Sequence, residues 1–267
     1  MKIAVIGGGP GGLYFALLAK KRWPSHEIVV FERNTPADTF GFGVVFSDET
    51  LDHFLTRDPE SYEAITSQFA YWDEIDFIFR GQTVRSSGHG FCGCGRIELL
   101  QILRKRCENV GVDINYSNEI SDLSNISADL VVGADGINSI VRESFASKFC
   151  PTVNWRKNRF CWLGTTAPYD AFTFDFTENE AGLWVLGAYQ FKEGLSTWII
   201  EAPEPTWEKA KSEVEGLDEK NLIEYMEILW KDQLNGHNLI PNKSVWRSFP
   251  TVRCDNWSHN NIVLIGD

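Results

Sequence analysis

The chain of 267 residues is short of several things: it has six cysteines and two methionines, and its 25 basic residues are outnumbered by 37 acidic ones. Each shortage removes a class of protein. A net charge of −12 leaves no phosphate-tracking surface, so no nucleic-acid partner is expected. No apolar run reaches the roughly 18 residues of a membrane-spanning helix, so no membrane contact is expected either. The structured pattern starts at Lys2, which leaves no room for a signal or transit peptide and makes the cytoplasm the default compartment. The cysteines, Cys92, Cys94, Cys107, Cys150, Cys161 and Cys254, are scattered and read as free thiols. "CGC" at Cys92–Cys94 has His89 nearby but no second ligand pair at zinc-like spacing, so no metal is expected. His53, His89 and His237 are acid–base candidates by residue type alone, and no catalytic side chain is assigned. There is no internal repeat and no low-complexity linker. What is abundant is glycine (22), phenylalanine (18) and tryptophan (10), enough aromatic surface for a lined cavity as well as a core.

The glycines are most telling in "IGGGPGGLYF". An apolar run, "KIAVI", precedes them and predicts a buried parallel strand. "LYFALLAKKRW" follows and predicts a helix whose basic end complements its dipole before Pro24 stops it. Gly7, Gly9 and Gly12 have the G-x-G-x-x-G spacing, with Gly11 inside the same turn. In that arrangement one glycine makes the turn, one lets backbone approach a pyrophosphate, and one lets helix and strand pack closely. The next strand, "EIVVFE", ends on Glu32, where a carboxylate can accept both hydroxyls of a ribose and repels a 2′-phosphate; Arg33 follows it. This motif fits FAD and NAD alike.

Two later segments repeat the plan of apolar strand, glycine and acid: "DLVVGADG", with Asp135, and "NIVLIGD", ending at Asp267. Ligands of open α/β sheets gather at such strand ends, although an acid in the position of Asp135 also caps a following helix. Arg96 opens the predicted helix "RIELLQILRKRCENVG", where a cation opposes the dipole and makes sense beside an anion. Elsewhere a short helix is expected from Ser47, a hairpin over 74–88 turning at Gly81-Gln82, and a glycine–cysteine loop before Arg96. From Asn154 to Glu201 the alternation predicts an antiparallel sheet, then two helices, then a strand around Lys243–Phe249. Trp162, Phe172, Phe174, Trp184, Tyr189 and Trp198 alternate along these strands, so some belong to the core and others to a ligand face.

The ordered set of Gly7-x-Gly9-x-x-Gly12 with Glu32, "GADG" and "IGD" resembles the single-component FAD-dependent aromatic hydroxylases of the para-hydroxybenzoate hydroxylase fold, over essentially the whole chain. "FGFGVVFSDETL", "SSGHGFCG" and "AFTFDF" resemble the hydroxylases of aromatic acyl-CoA thioesters, acting on 2-aminobenzoyl-CoA or salicylyl-CoA; "KNRFCWLGTT" and "GAYQF" are similar to tryptophan hydroxylases. The resemblance implies an α/β fold: a Rossmann-like FAD-binding domain (1–70, 96–150 and 255–267) interleaved with an α+β substrate domain (71–95 and 151–254). It implies FAD as cofactor, NADPH or NADH as transient reductant, and O2 and an aromatic substrate as partners. The reaction it implies delivers oxygen to an activated ring from a C4a-hydroperoxyflavin. By the same resemblance Gly7, Gly9 and Gly12 meet the pyrophosphate, Glu32 holds the adenosine ribose, and Arg96 lies by the phosphate and ribityl groups. Gly43 and Val44 lie along the isoalloxazine, Asp135 braces the cofactor region, and Asp267 binds the ribityl or pyrophosphate portion. Family members continue beyond the Gly-Asp motif, which implies a chain cut short there, one that binds FAD weakly, binds ADP almost as well and hydroxylates nothing. Two other expectations stay beside this one: an FAD-dependent reductase of the same fold, and a nucleotide-binding remnant without activity.

Overall fold

Strand β1 (Lys2–Ile6) is buried over its last four residues and passes through the glycine turn into α1 (Pro10–Arg22) in the computed structural model, which describes residues 1–39 and 41–266. Helix α1 buries Gly12, Leu13, Ala16, Leu17 and Ala19, and Lys20, Lys21 and Arg22 close its last turn. Strand β2 (Glu27–Phe31) pairs with β1 in parallel. After β3 (Gly43–Ser47) the Ser47 hydroxyl accepts from Thr50 N at 3.4 Å and starts α2 (Asp48–Arg57), as expected. Asp58 caps α3 (Pro59–Thr66), followed by β4 (Ala70–Trp72).

The hairpin is present as β5 (Ile75–Phe79) and β6 (Gln82–Ser86), turning one residue earlier than expected, on Arg80 and Gly81. Both have positive φ, 50° and 74°, as a two-residue turn with the twist of its strands requires. The glycine–cysteine segment is not a loop. It is β7 (Phe91–Gly95), the middle strand of a three-stranded sheet β3-β7-β4. Cys92 and Cys94 are small apolar side chains on its buried side, and a Cβ on Gly93 would come 2.8 Å from the Trp72 ring, so glycine is needed for the close packing. In this sheet β3, from the expected FAD-binding unit, pairs with β7, from the expected substrate unit.

Helix α4 (Arg96–Asn109) buries Leu99, Leu100, Leu103 and Cys107, and ends before Gly111 at φ 83°. Then come β8 (Asp113–Asn115), β9 (Leu130–Gly133), α5 (Ile140–Ser144) and α6 (Ala146–Phe149). The remainder runs β10 (Pro151–Trp155), β11 (Arg159–Thr165), β12 (Phe172–Asn179), β13 (Gly182–Lys192) and β14 (Leu195–Ala202), then α7 (Glu204–Val214), α8 (Glu219–Leu229) and α9 (Lys231–Leu234). It ends with β15 (Leu239–Ile240), β16 (Pro250–Cys254), β17 (Ser258–His259) and β18 (Ile262–Leu264). The expected strand over Lys243–Phe249 is instead a loop joined to β11 by one bridge, Phe160 with Arg247. Asn242 and Ser244 bond to the backbone of other segments, which holds this stretch out of a ladder, and the strand forms further on as β16 against β10.

The six-stranded sheet has the order β17-β18-β9-β1-β2-β8, parallel throughout except at β17. The seven-stranded sheet, β15-β11-β14-β13-β12-β5-β6, is mixed rather than purely antiparallel, because β12 runs parallel to β5. A crossover, not a hairpin, connects those two strands, and only that leaves them parallel. One core lies between the parallel sheet, α1, α4 and β3-β7-β4; another, with Trp184, Trp198 and Trp230, lies between the seven-stranded sheet and α7–α9. No helix among the described residues is long and apolar enough to cross a membrane.

Candidate functional site

The carboxyl ends of β1, β2 and β9 meet at the glycine turn. A Cβ on Gly7, at φ 107°, would lie 2.3 Å from Ala134 O, and one on Gly12 would lie 2.1 Å from Gly7 O. Gly7 is demanded by packing against the loop after β9, and Gly12 by the close approach of α1 to the turn's own Gly7 carbonyl. At Gly9 and Gly11 a Cβ would meet nothing within 4 Å, so both face open space at the amino end of α1. That helix has no acid in its first turn and no side-chain cap, so its amides and dipole face the opening unbalanced.

Glu32 is 8% exposed beside this turn. Its Oε2 accepts from Gly8 N at 2.7 Å, and Oε1 accepts from Asn34 N at 2.8 Å and Asn34 Nδ2 at 2.7 Å. These bonds occupy three of a carboxylate's about four acceptor positions, leaving about one for a ligand hydroxyl rather than two. Glu32 therefore also shapes the turn, a role its sequence position did not disclose. Arg33 is exposed, 4.0 Å from Glu119.

Two clefts open here. The smaller, about 560 Å³, is lined by Gly7–Gly11, Glu32, Arg33, Arg96 and Asp135. The larger, about 940 Å³, is lined by Gly41, Trp162, Asn242, Arg247 and Phe249, and again by Arg96 and Asp135. Arg96, Asp135 and Gly266 line both, so the clefts meet along the carboxyl ends of the parallel strands, and a long ligand could run through.

Asp135 is spent locally. Its carboxylate accepts from Ser139 Oγ at 2.5 Å, Ile140 N at 2.7 Å and Val141 N at 3.2 Å, and so holds the start of α5 against the cleft floor. Gly43 and Val44 line neither cleft: Gly43 N donates to Thr197 Oγ1 at 3.0 Å, and its carbonyl accepts from Tyr189 at 2.9 Å. Gly41, two residues earlier, does line the larger one. Asp267 lies outside the described residues.

Of the six aromatic residues singled out in the sequence, Trp162 alone lines a cleft. Trp184 and Trp198 are fully buried beneath α7–α9, Phe172 and Tyr189 pack with Trp72, and Phe174 stacks on Phe77. The larger cleft draws instead on Trp155, Phe160, Phe249 and Trp257, with the Phe160 and Phe249 rings stacked at 3.7 Å. Trp155 pairs with Pro250 and shares a face with Val252, which also lines the cleft, a register that spacing in the sequence does not disclose. His53, His89 and His237 line neither cleft; His89 bonds to Ser86 and His237 to Thr166. Burial pushes the Cys92 and Cys94 thiols up to about 12, and both act as packing groups. Among the described residues there is no group of three or more side chains suited to a metal.

Because Arg96 sits where the clefts join, Arg96→Glu is expected to weaken FAD binding by more than it lowers the apo chain's thermal stability. Titration calorimetry with matched thermal melts reads both; equal loss in apo and nucleotide-bound chain would make Arg96 a structural residue.

An α/β chain with a glycine-rich turn feeding two joined clefts defines a dinucleotide-binding fold. Comparison with models of known protein families finds no match. The chain is 39% identical to salicyloyl-CoA 5-hydroxylase of Streptomyces sp, over 100% of this chain and 53% of that protein. It is 30% identical to protodeoxyviolaceinate monooxygenase of Chromobacterium violaceum, over 100% of this chain and 72% of that one. A crystal structure of a 2-methyl-3-hydroxypyridine-5-carboxylic acid oxygenase variant superposes with a TM-score of 0.79 at 18% identity, over 100% of this chain and 75% of that one. The chain belongs to the FAD-dependent aromatic monooxygenase family. It spans about half of the Streptomyces protein's length, 53%.

Proposed function

We propose that the chain carries the FAD- and substrate-binding clefts of a monooxygenase that hydroxylates an activated aromatic ring, borne on an acyl-CoA thioester, with O2 and NADPH or NADH. The observation that supports this best is the junction at Arg96 and Asp135, where a cradle for a dinucleotide opens into an aromatic-lined cleft. The cradle fits FAD: side chains at Gly9 and Gly11 would fill the place of the pyrophosphate, and a 2′-phosphate would meet the Glu32 carboxylate. The free cysteines accord with a cytoplasmic setting.

In this reading Gly7–Gly12 and the amino end of α1 hold the pyrophosphate, Glu32 takes a ribose hydroxyl, and Arg96 neutralises phosphate charge. Asp135 keeps α5 and the cleft floor rigid. Bound FAD would supply the reduction and the activation of O2. Trp162, Phe160 and Phe249 supply an apolar wall that orients a ring and excludes water, which protects the oxidising equivalent from loss as H2O2. A 2-amino or 2-hydroxy group already activates the ring, so the absence of histidine from the cleft-lining residues described is no obstacle. The nicotinamide cofactor would bind transiently: the other G-x-G-x-x-G spacing in the chain, Gly88, Gly90 and Gly93, runs into strand β7 instead of opening a helix, and so builds no second cradle.

The test is to incubate the chain with FAD, NADPH or NADH, isotopically labelled O2 and either salicyloyl-CoA or 2-aminobenzoyl-CoA, and to read product mass. One labelled oxygen in the ring is the expected result, and it would set aside the expectation, drawn from the resemblance, of a chain that hydroxylates nothing. Tight FAD binding with nicotinamide oxidation but no labelled product would favour a reductase instead.

A further inference from the structure

We infer that Asn242 is a positioning residue for the cleft wall that receives the ring end of the cofactor; this rests on the FAD reading above. Residues 41–43 are joined one by one to the seven-stranded sheet. Gly41 has φ 71°, and a Cβ there would lie 2.8 Å from three atoms of the Trp162 ring, so its backbone approaches the indole too closely for any side chain. Asn242 Nδ2 donates to Gly41 O at 2.7 Å. The Phe42 ring fills the space at Gly164, where a Cβ would come within 2.5 Å, and Phe42 O accepts from Arg96 N at 2.7 Å. Gly43 is held by Thr197 and Tyr189.

Of these ties, the one at Gly41 borders the larger cleft: Gly41, Trp162 and Asn242 all line it, and none of them lines the smaller. Asn242 is itself fixed. Its N–H donates to Ser244 Oγ at 3.1 Å, Ser244 Oγ donates to Trp162 O at 2.6 Å, and Ser244 N donates to Glu219 Oε1 at 3.1 Å. Lys243 between them is held at φ 55° and lies 3.5 Å from Asp38. The turn 242–244 is thus a bracket fastened to β11 and to Glu219 of α8. Its outer arm is the Asn242 amide, which sets how far the Gly41 backbone stands from the Arg96 side of the cleft. A nucleotide's adenosine end, held at Gly7–Gly12 and Glu32, does not touch this arm; a ring reaching past Arg96 does.

That difference gives the test. Wild type, Asn242→Ala and Asn242→Asp are titrated by calorimetry with FAD and, separately, with ADP, and the visible spectrum of bound flavin is recorded. Both variants lose the donor to Gly41 O. Each should bind FAD about fivefold more weakly, the worth of about one hydrogen bond, with ADP affinity unchanged and the flavin band shifted towards that of free FAD. The isosteric Asn242→Asp carries the test should the alanine variant fail to fold. Unchanged FAD affinity and spectrum in a variant, or equal losses for FAD and ADP, overturns the inference. Failure of the wild type to bind either nucleotide overturns the FAD reading, and this inference with it.

Discussion

Asp58→Ala is expected to destabilise the fold by about 3 kcal/mol, because it leaves the buried Arg106 guanidinium only the exposed Glu60 as a partner and removes the cap of α3. The Asp58 side chain is 0% exposed. Its carboxylate accepts from Arg106 Nη2 at 2.8 Å and Arg106 Nε at 3.2 Å, from Ser61 N at 3.2 Å, and from Lys21 and the Ser61 hydroxyl. One carboxylate therefore ties α1, α3 and α4 together behind the glycine turn and caps α3 as well. Asp58→Asn, which keeps a capping oxygen and loses the charge, should be milder than alanine but still strongly destabilising. Burial alone would raise the Asp58 pKa; the bonds from Arg106, Lys21 and Ser61 outweigh it and hold the group at about 2. The folded value lies below the unfolded one, so this stabilisation is complete above about pH 4 and is lost as pH falls towards 2. Denaturant melts of wild type and both variants at pH 7 and pH 2.5 or so check this. The gap between them should be wide at the first pH and narrow at the second, and a gap independent of pH would remove the ionic explanation.

Glu32→Ala should lower FAD affinity at least tenfold. A hydrogen bond from a ribose hydroxyl to a charged, 8% exposed carboxylate is worth about 1.5–3 kcal/mol. The substitution also releases Gly8 N and Asn34 N, so the turn that presents the amides of α1 loosens and the loss extends to the pyrophosphate. ADP, which carries the same ribose and pyrophosphate, should lose as much as FAD, the opposite of the pattern expected at Asn242. Glu32→Gln keeps an acceptor for Gly8 N and should fall between wild type and alanine. Calorimetric titration of both nucleotides against the three chains is the measurement. Unchanged affinity in Glu32→Ala would show that the ribose is held elsewhere.

Local pattern carried far in this chain. The nucleotide end of the site was legible because each part of it is contiguous: strand, glycine turn, helix, then an acid at the end of the next strand. The start of α2 at Ser47 and the stop of α4 at Gly111 were legible for the same reason, each being a cap whose chemistry lies within a few residues. "FCGCG" was misread because its composition is that of a turn, while its pairing is set by β3 and β4, tens of residues away. The strand expected over Lys243–Phe249 failed similarly: alternation was present, but Asn242 and Ser244 found partners at Gly41 and Trp162 that outcompeted a ladder.

The sequence by itself determined that the chain is an α/β nucleotide binder with its glycine turn at Gly7–Gly12, an acid at Glu32, and strand ends at Asp135 and beyond, because short-range spacing suffices to build a strand, a turn and a dipole. Tertiary structure alone decided that Glu32 shapes the turn it was expected only to accompany, and that Trp162 reaches a cleft while Trp184 and Trp198 do not. The physical reason is common to both. A carboxylate's partners and a ring's exposure are fixed by which distant segments pack against it, and alternation along a strand names two faces without saying which one α7–α9 will cover.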